Sequence, residues 1–225
     1  MPRRSRFVCE GLPHHITQRG NYRQNVFESR EDFQTYCYLF TQYSQKYKVE
    51  IVAYCLMNNH VHFVVVPSAA DGLARLFNTT HMRYSQYKNL LKHKKGHLWQ
   101  GRFFSSVMDE TYLIFAVRYV ERNPVRARMV KNAWDYVWSS ARQHVNLERD
   151  PILKTTGRQR ILQLLGKNSD WRTYLGKEDK VMLETIRTNT SKGLVIGSDN
   201  FIEMLEQKTG MVLKEGKPGR PKTKK

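Results

Sequence analysis

Residues 51–67, IVAYCLMNNHVHFVVVP, decide how this chain folds. Side chains alternate between the two faces of a strand with period two. Glu50 to Leu56 reads as one strand and His60 to Val66 as its partner. The MNN between them supplies asparagines that tolerate the positive φ of a tight hairpin turn. Pro67 closes the second strand because it has no N–H for the ladder. His60 and His62 therefore point to one face. That pair either fills a half-polar sheet surface or ligates a metal.

Upstream of the hairpin, residues 14–18 (HHITQ) form a short strand, followed by the polar turn RGNYRQN. A helix spans Ser29 to Tyr47, because Phe33, Cys37, Phe40, Tyr43 and Tyr47 recur every three or four positions. Downstream, a second helix covers Asp71 to Lys92, with Leu73, Leu76, Phe77, Thr80, Tyr84, Tyr87 and Leu91 as its buried stripe. After the basic loop HKKGHLWQG, RFFSSVM reads as a strand. A third helix starts after Asp109, an N-cap. It ends at Asn123, since Pro124 disfavours helical geometry in the residue before it.

The order β-α-β-β-α-β-α begins as a ferredoxin-like split βαβ sheet of the α+β class, with two helices on one face. The other face is left for the third helix or a substrate. Apolar periodicity weakens over residues 146–160. The expected division is residues 1–145 as the main domain, 146–213 as a small helical module and 214–225 as a basic tail. The tail's KPGRPKTKK either lies extended in an A·T-rich minor groove or acts as a solubilising extension.

Charge narrows the partner. The chain carries 38 Lys and Arg against 20 Asp and Glu, a formal charge of +18. Such a field attracts polyanions through counterion release, and nucleic acid is the leading candidate. A membrane surface is the rival, but the basic residues are dispersed among aromatics rather than gathered on one amphipathic helix. No apolar run reaches membrane-spanning length and no signal segment is visible. Cys9, Cys37 and Cys55 are too few and too scattered for a disulfide framework, so a cytoplasmic location is expected.

The third helix sharpens the meaning of the histidines. Tyr119 and Asn123 stand at i and i+4 and share a face, flanked by Arg118 and Arg122. If this helix packs over the bare sheet face, His60, His62 and the Asn123 oxygen converge as three ligands, one helical turn from Tyr119. A divalent ion beside a phenol suits phosphoryl transfer. By default a tyrosine on an amphipathic helix is a core residue. The Asn123 spacing and the HxH strand raise Tyr119 above Tyr84, Tyr87 and Tyr112.

NHVHF, LWQGRF, RYVERNPVRARMV and Trp138-Ser139-Ser140 together resemble the single-tyrosine HUH (IS200-like) transposases. Within that group the chain is most similar to the REP-associated tyrosine transposases, and HHITQRGNYRQNVF fits them too. The resemblance spans roughly residues 6 to 145. It implies His60 and His62 as metal ligands, Asn123 as the third ligand and Tyr119 as nucleophile. It also implies Mg²⁺ or Mn²⁺, a single-stranded DNA partner with an imperfect hairpin, and a monomer or homodimer. The implied reaction leaves a 5′-phosphotyrosine and a free 3′-hydroxyl.

Further contacts to single-stranded DNA are expected from cationic and aromatic side chains. Candidates are Trp99, Gln100, Arg102 and Phe103 in the loop, Gln18 and Arg19 at the first strand, and Arg118, Arg122, Arg126 and Arg128 around the third helix. Two other functions stay open: a non-catalytic hairpin-binding protein, and a hydrolytic metalloenzyme that uses water. His14, His15, His81, His93, His97 and His144 show no ligand spacing and receive no role.

Overall fold

The computed structural model describes residues 7–147, 150, 152, 155–165, 170–177 and 179–214. The chain runs β1 (His14–Arg19), α1 (Arg30–Lys46), β2 (Val49–Met57), β3 (His60–Pro67), α2 (Gly72–Leu91), β4 (Phe104–Val107) and α3 (Glu110–Glu121). This is the expected α+β order. The strands form one antiparallel sheet in the order β2-β3-β1-β4.

Period-two alternation gives the sheet two distinct faces. Ile16, Val61, Phe63 and Val65 point towards α1 and α2, where Phe40 stacks on Phe63 at 4.0 Å between ring centres. Cys55, Val64 and Val66 point the other way and pack on Leu113, Ala116, Val117 and Val120 of α3. Ser29 and Asp32 close the N-terminus of α1 as a reciprocal capping box. Asp109 caps α3 by accepting from the Tyr112 N–H at 3.1 Å. The α2 stripe is buried through Tyr84, but Leu91 is 58% exposed. At that level α2 meets α1 through polar contacts, with Lys88 Nζ 2.6 Å from Asp32 Oδ2.

Two local expectations need correction. Neither Asn58 nor Asn59 has positive φ. The hairpin turn is instead held from outside by the segment that follows β1. The Asn58 carbonyl accepts from the N–H groups of Val26 (2.7 Å) and Phe27 (3.0 Å), and the Asn59 carbonyl accepts from Gly20 N–H (2.8 Å). Gly20 permits the tight turn that carries these donors, because a Cβ there would sit 2.4 Å from the Gln24 carbonyl oxygen.

The third helix also stops short of Asn123, ending at Glu121 with Arg122 as its C-cap. After Arg122 the chain makes one more turn, α4 (Asn123–Arg126). Pro124 has no N–H for the Val120 carbonyl. The Asn123 side-chain amide donates to that carbonyl instead, at 3.0 Å.

Beyond α4 lie α5 (Ala141–His144), α6 (Thr155–Leu165), α7 (Trp171–Gly176), α8 (Lys180–Lys192) and α9 (Asp199–Thr209). Ile161, Trp171, Leu175 and Ile186 share a core with α3 and the sheet. Later segments also cover both sheet edges, where unpaired backbone would invite another strand. Trp138 and Ser140 bond to the β2 backbone at Leu56 and Tyr54, while Ile196 bonds to Val107 and Asp109 beside β4. Most of the basic tail, residues 215–225, lies outside the described residues. No helix among the described residues is long and apolar enough to cross a membrane.

A buried carboxylate ties these parts together. Glu121, at the end of α3, is fully buried. It accepts hydrogen bonds from the Ser140 hydroxyl (2.5 Å), the Trp171 indole N–H (2.8 Å) and the His144 ring. Removing one member of such a network strands its partners without an acceptor. Glu121→Ala is expected to lower the unfolding free energy by about 3–5 kcal/mol, measured by urea denaturation. A change below about 1 kcal/mol would match a surface site rather than a buried network.

Candidate functional site

The sheet face covered by α3 opens at one end into a cleft of about 880 Å³. Five elements supply its chemistry. His60 and His62 come from β3, and Arg19 comes from β1. Tyr119, Asn123 and Arg126 come from α3 and α4, while Arg187 and Thr190 come from α8. Among the described residues the lining holds arginines at positions 19, 23, 126 and 187 and no carboxylate. Such a wall favours an anionic occupant.

The three residues expected to converge with Tyr119 all line this cleft. The His60 and His62 ring centres are 5.0 Å apart, and the Tyr119 ring stands edge-on to His62 at 5.7 Å. The His60 Nδ1 atom lies 2.6 Å from the Asn59 Oδ1 acceptor, so Nε2 is the ring nitrogen left over. The Asn123 amide nitrogen is engaged on the helix, at Val120 O (3.0 Å) and Tyr119 O (3.3 Å). Its oxygen is the end available to the cleft.

His62 is oriented by a residue that sequence spacing left without a role. His62 Nδ1 is 3.0 Å from His15 Nε2, and His15 Nδ1 is 2.7 Å from the Thr190 hydroxyl. The chain of bonds can run in two senses. Only one leaves a lone pair on His62 Nε2: His62 N–H donates to His15, and His15 N–H donates to Thr190. Burial lowers the pKa of His15 to about 3 and of His60 to about 4, and holds His62 well below the ordinary imidazole value. Nearby Arg126 and Arg19 push in the same direction. All three rings are therefore neutral at pH 7.

Tyr119 feels opposing influences. Burial raises its phenol pKa above the ordinary value, while Arg126, Arg187 and Arg19 pull it down. The Arg126 guanidinium sits 4.4 Å from the Tyr119 ring centre and donates to the Tyr119 carbonyl at 2.6 Å. This fixes the backbone turn that presents both Tyr119 and Asn123.

The outer candidate residues separate into three groups. Arg19, Gln100 and Arg126 line the cleft. The backbone pairing of Arg19 O with Gln100 N–H, at 2.8 Å, brings the first two together. Arg118 and Arg122 face the C-terminal helices. Arg118 lies 4.3 Å from the Tyr174 ring centre and 4.0 Å from Asp179, and Arg122 donates to the Leu175 carbonyl. Gln18, Trp99, Arg102 and Phe103 lie across the sheet, on a separate groove.

Sequence reading missed His15, Arg187, Thr190 and Tyr22. His15 becomes a neighbour of His62 only through the β1–β3 register, in which Thr17 faces His62. Arg187 and Thr190 arrive from a helix distant in sequence. Tyr22 is 94% exposed at the cleft mouth, on backbone with φ of 49°. An aromatic in the polar turn RGNYRQN was the signal available for it.

The chain is 25% identical over 123 residues to a Haemophilus influenzae protein named "Putative REP-associated tyrosine transposase", covering 50% of this chain and 70% of that one. It also matches a solved structure of a REP-associated tyrosine transposase bound to a REP hairpin, with a TM-score of 0.53 and 19% identity. That match covers 68% of this chain and 92% of the other, and it shows a shared fold. The family model described as "Transposase IS200 like" matches residues 9–123, from just before β1 to Asn123. A match over more than half of the 225 residues places the chain in the IS200-like transposase family.

Proposed function

We propose that this protein cleaves and rejoins single-stranded DNA beside a hairpin, with Tyr119 as the nucleophile. The observation that carries the reading is the meeting of Tyr119, His60, His62 and Asn123 in one arginine-lined cleft. The phenolic oxygen attacks phosphorus, a P–O bond to the 3′ side breaks, and the 3′ oxygen leaves as a hydroxyl once protonated. The 5′-phosphotyrosine left behind conserves the bond energy, so a second 3′-hydroxyl can reverse the step without ATP.

The donor set fits a divalent cation. Among the described residues no three His, Cys, Asp or Glu side chains form a metal-binding group. The available ligands are two neutral imidazoles and one amide oxygen. Such a mixed set suits Mn²⁺ or Mg²⁺, with positions remaining for phosphate oxygens. A cation held by His60, His62 and Asn123 would polarise a phosphodiester oxygen and stabilise the charge that builds there. Arg126 and Arg187 hold the phosphate near Tyr119 and favour its anion against the effect of burial. Exposed Tyr22 offers a ring on which a base can stack.

The hairpin partner is carried over from the relative whose structure holds a REP hairpin. The charge of +18 supports a DNA partner independently. Arg118 and Arg122 serve packing of the C-terminal helices in this reading, and the DNA contacts fall to Arg19, Gln100 and Arg126.

Incubation with labelled hairpin DNA and Mn²⁺, followed by denaturation, is expected to give a covalent protein–DNA adduct. Tyr119→Phe and a chelator should each abolish it. Binding without an adduct would favour a hairpin-binding protein, and cleavage that survives Tyr119→Phe would favour hydrolysis by water. His60→Ala should reduce cleavage at least ~100-fold while changing DNA affinity by less than about threefold, since binding is spread over many phosphates. Equal loss of both would contradict the ligand role. His15→Ala should weaken Mn²⁺ binding by about 10–100-fold, read by calorimetry with no DNA present. An unchanged affinity would show that His15 does not orient His62.

A further inference from the structure

The turn that follows β1 holds its backbone in an uncommon shape. Tyr22 and Arg23 both stand in the left-handed region, with φ of 49° and 59°. They are the only two adjacent non-glycine residues there among the described residues. A side chain with a Cβ rarely takes this backbone, which persists where neighbours over-determine it. Here the neighbours are Leu98 and Asn59. The Leu98 carbonyl accepts from the Asn21 N–H (2.8 Å) and from Gln24 Nε2 (3.2 Å). The Gly20 N–H donates to the Asn59 carbonyl (2.8 Å), and Asn59 Nδ2 donates to the Arg23 carbonyl (3.3 Å).

The last of these bonds carries a constraint beyond the turn. A main-chain carbonyl can only accept, so the Asn59 amide must aim its nitrogen at Arg23 and its oxygen at His60. That oxygen is also only an acceptor, and His60 Nδ1 lies 2.6 Å from it. The neutral ring therefore carries its proton on Nδ1 and its lone pair on Nε2. Reversing the amide would reverse the ring. An amide N–H facing Nδ1 would move the proton to Nε2, where a cation needs the lone pair.

We propose that this turn is a positioning element of the metal site: its Arg23 carbonyl orients Asn59, and Asn59 fixes the tautomer in which His60 can bind a cation. The proposal rests on the ligand role given to His60 above. The direction of the Arg23 carbonyl follows from the left-handed backbone at that residue. Gly20 belongs to the device, because a Cβ there would also sit 2.9 Å from the Val26 side chain. His62 is set differently. Its line ends at the Thr190 hydroxyl, which can donate or accept, whereas the His60 line ends at a carbonyl, which can only accept.

The test uses the full chain labelled with ¹⁵N-histidine, free of metal and DNA at neutral pH. Ring nitrogen chemical shifts distinguish the two tautomers, and the His60 signal is identified by its loss in His60→Ala. The wild type should carry the proton on Nδ1. Asn59→Ala and Gly20→Ala should each admit the form protonated on Nε2 and weaken Mn²⁺ binding by about tenfold or more, read by calorimetry. Asn59→Asp keeps an acceptor for Nδ1, and since both its oxygens accept, it needs no turn to orient it. The double variant Gly20→Ala/Asn59→Asp should therefore return His60 to the form protonated on Nδ1, a rescue that a merely structural turn would not allow. If Gly20→Ala does not fold, Gln24→Ala, which drops the bond to Leu98, takes its place in the same pair. An unchanged tautomer in Asn59→Ala, or no rescue in the double variant, overturns the proposal. The tautomer is read without metal or DNA, so its failure leaves the Tyr119 adduct to be judged separately. A wild type with the proton on Nδ1 that forms no adduct would overturn the function and leave this assignment standing.

Discussion

The hydrogen-bonded line from Thr190 through His15 to His62 is the constraint on which the rest of the site depends. A strand can aim two imidazoles at one face, but it does not choose which nitrogen each ring exposes. Here that choice is made by neighbours: Asn59 for His60, and His15 for His62. Burial then keeps the rings neutral, so their remaining nitrogens are free of protons at physiological pH. The orientation of His62 thus reaches across from β3 to β1 and on to a helix near the end of the chain.

That reach explains why the C-terminal helices are more than an appendage. They share the core under α3, cover the open edge of β4 and contribute Arg187 and Thr190 to the cleft wall. Glu121 joins the same parts from the other side by accepting from Ser140, His144 and Trp171. Tyr119 and Asn123 sit on either side of this anchored residue. The position of the phenol is therefore set by packing that involves much of the molecule.

The order of strands and helices was legible because period-two and helical spacings are local signals. The pairing of Tyr119 with Asn123 was legible for the same reason, being one helical turn apart. His15 was not, since its importance comes from strand register, which sequence alone leaves unspecified. The asparagine turn misled for a related cause: tethers from residues 20–27 replace the positive φ that Asn58 and Asn59 would otherwise supply. Arg118 and Arg122 illustrate the limit of charge as a guide. Arg118 adjoins Tyr119 and Arg122 adjoins Asn123 in sequence, yet the helix turns them towards Tyr174 and Leu175. Gln18 and Arg19 are adjacent, and alternation sends them to opposite sides of the sheet.

The central claim is that one phenol among twelve tyrosines takes up the DNA strand. Mass spectrometry of trypsin-digested adduct tests it directly, because cleavage after Arg118 and Arg122 isolates Tyr119 in the peptide YVER. The account predicts the nucleotide remnant on that peptide alone. A remnant on the peptide bearing Tyr22, the other tyrosine lining the cleft, would contradict it.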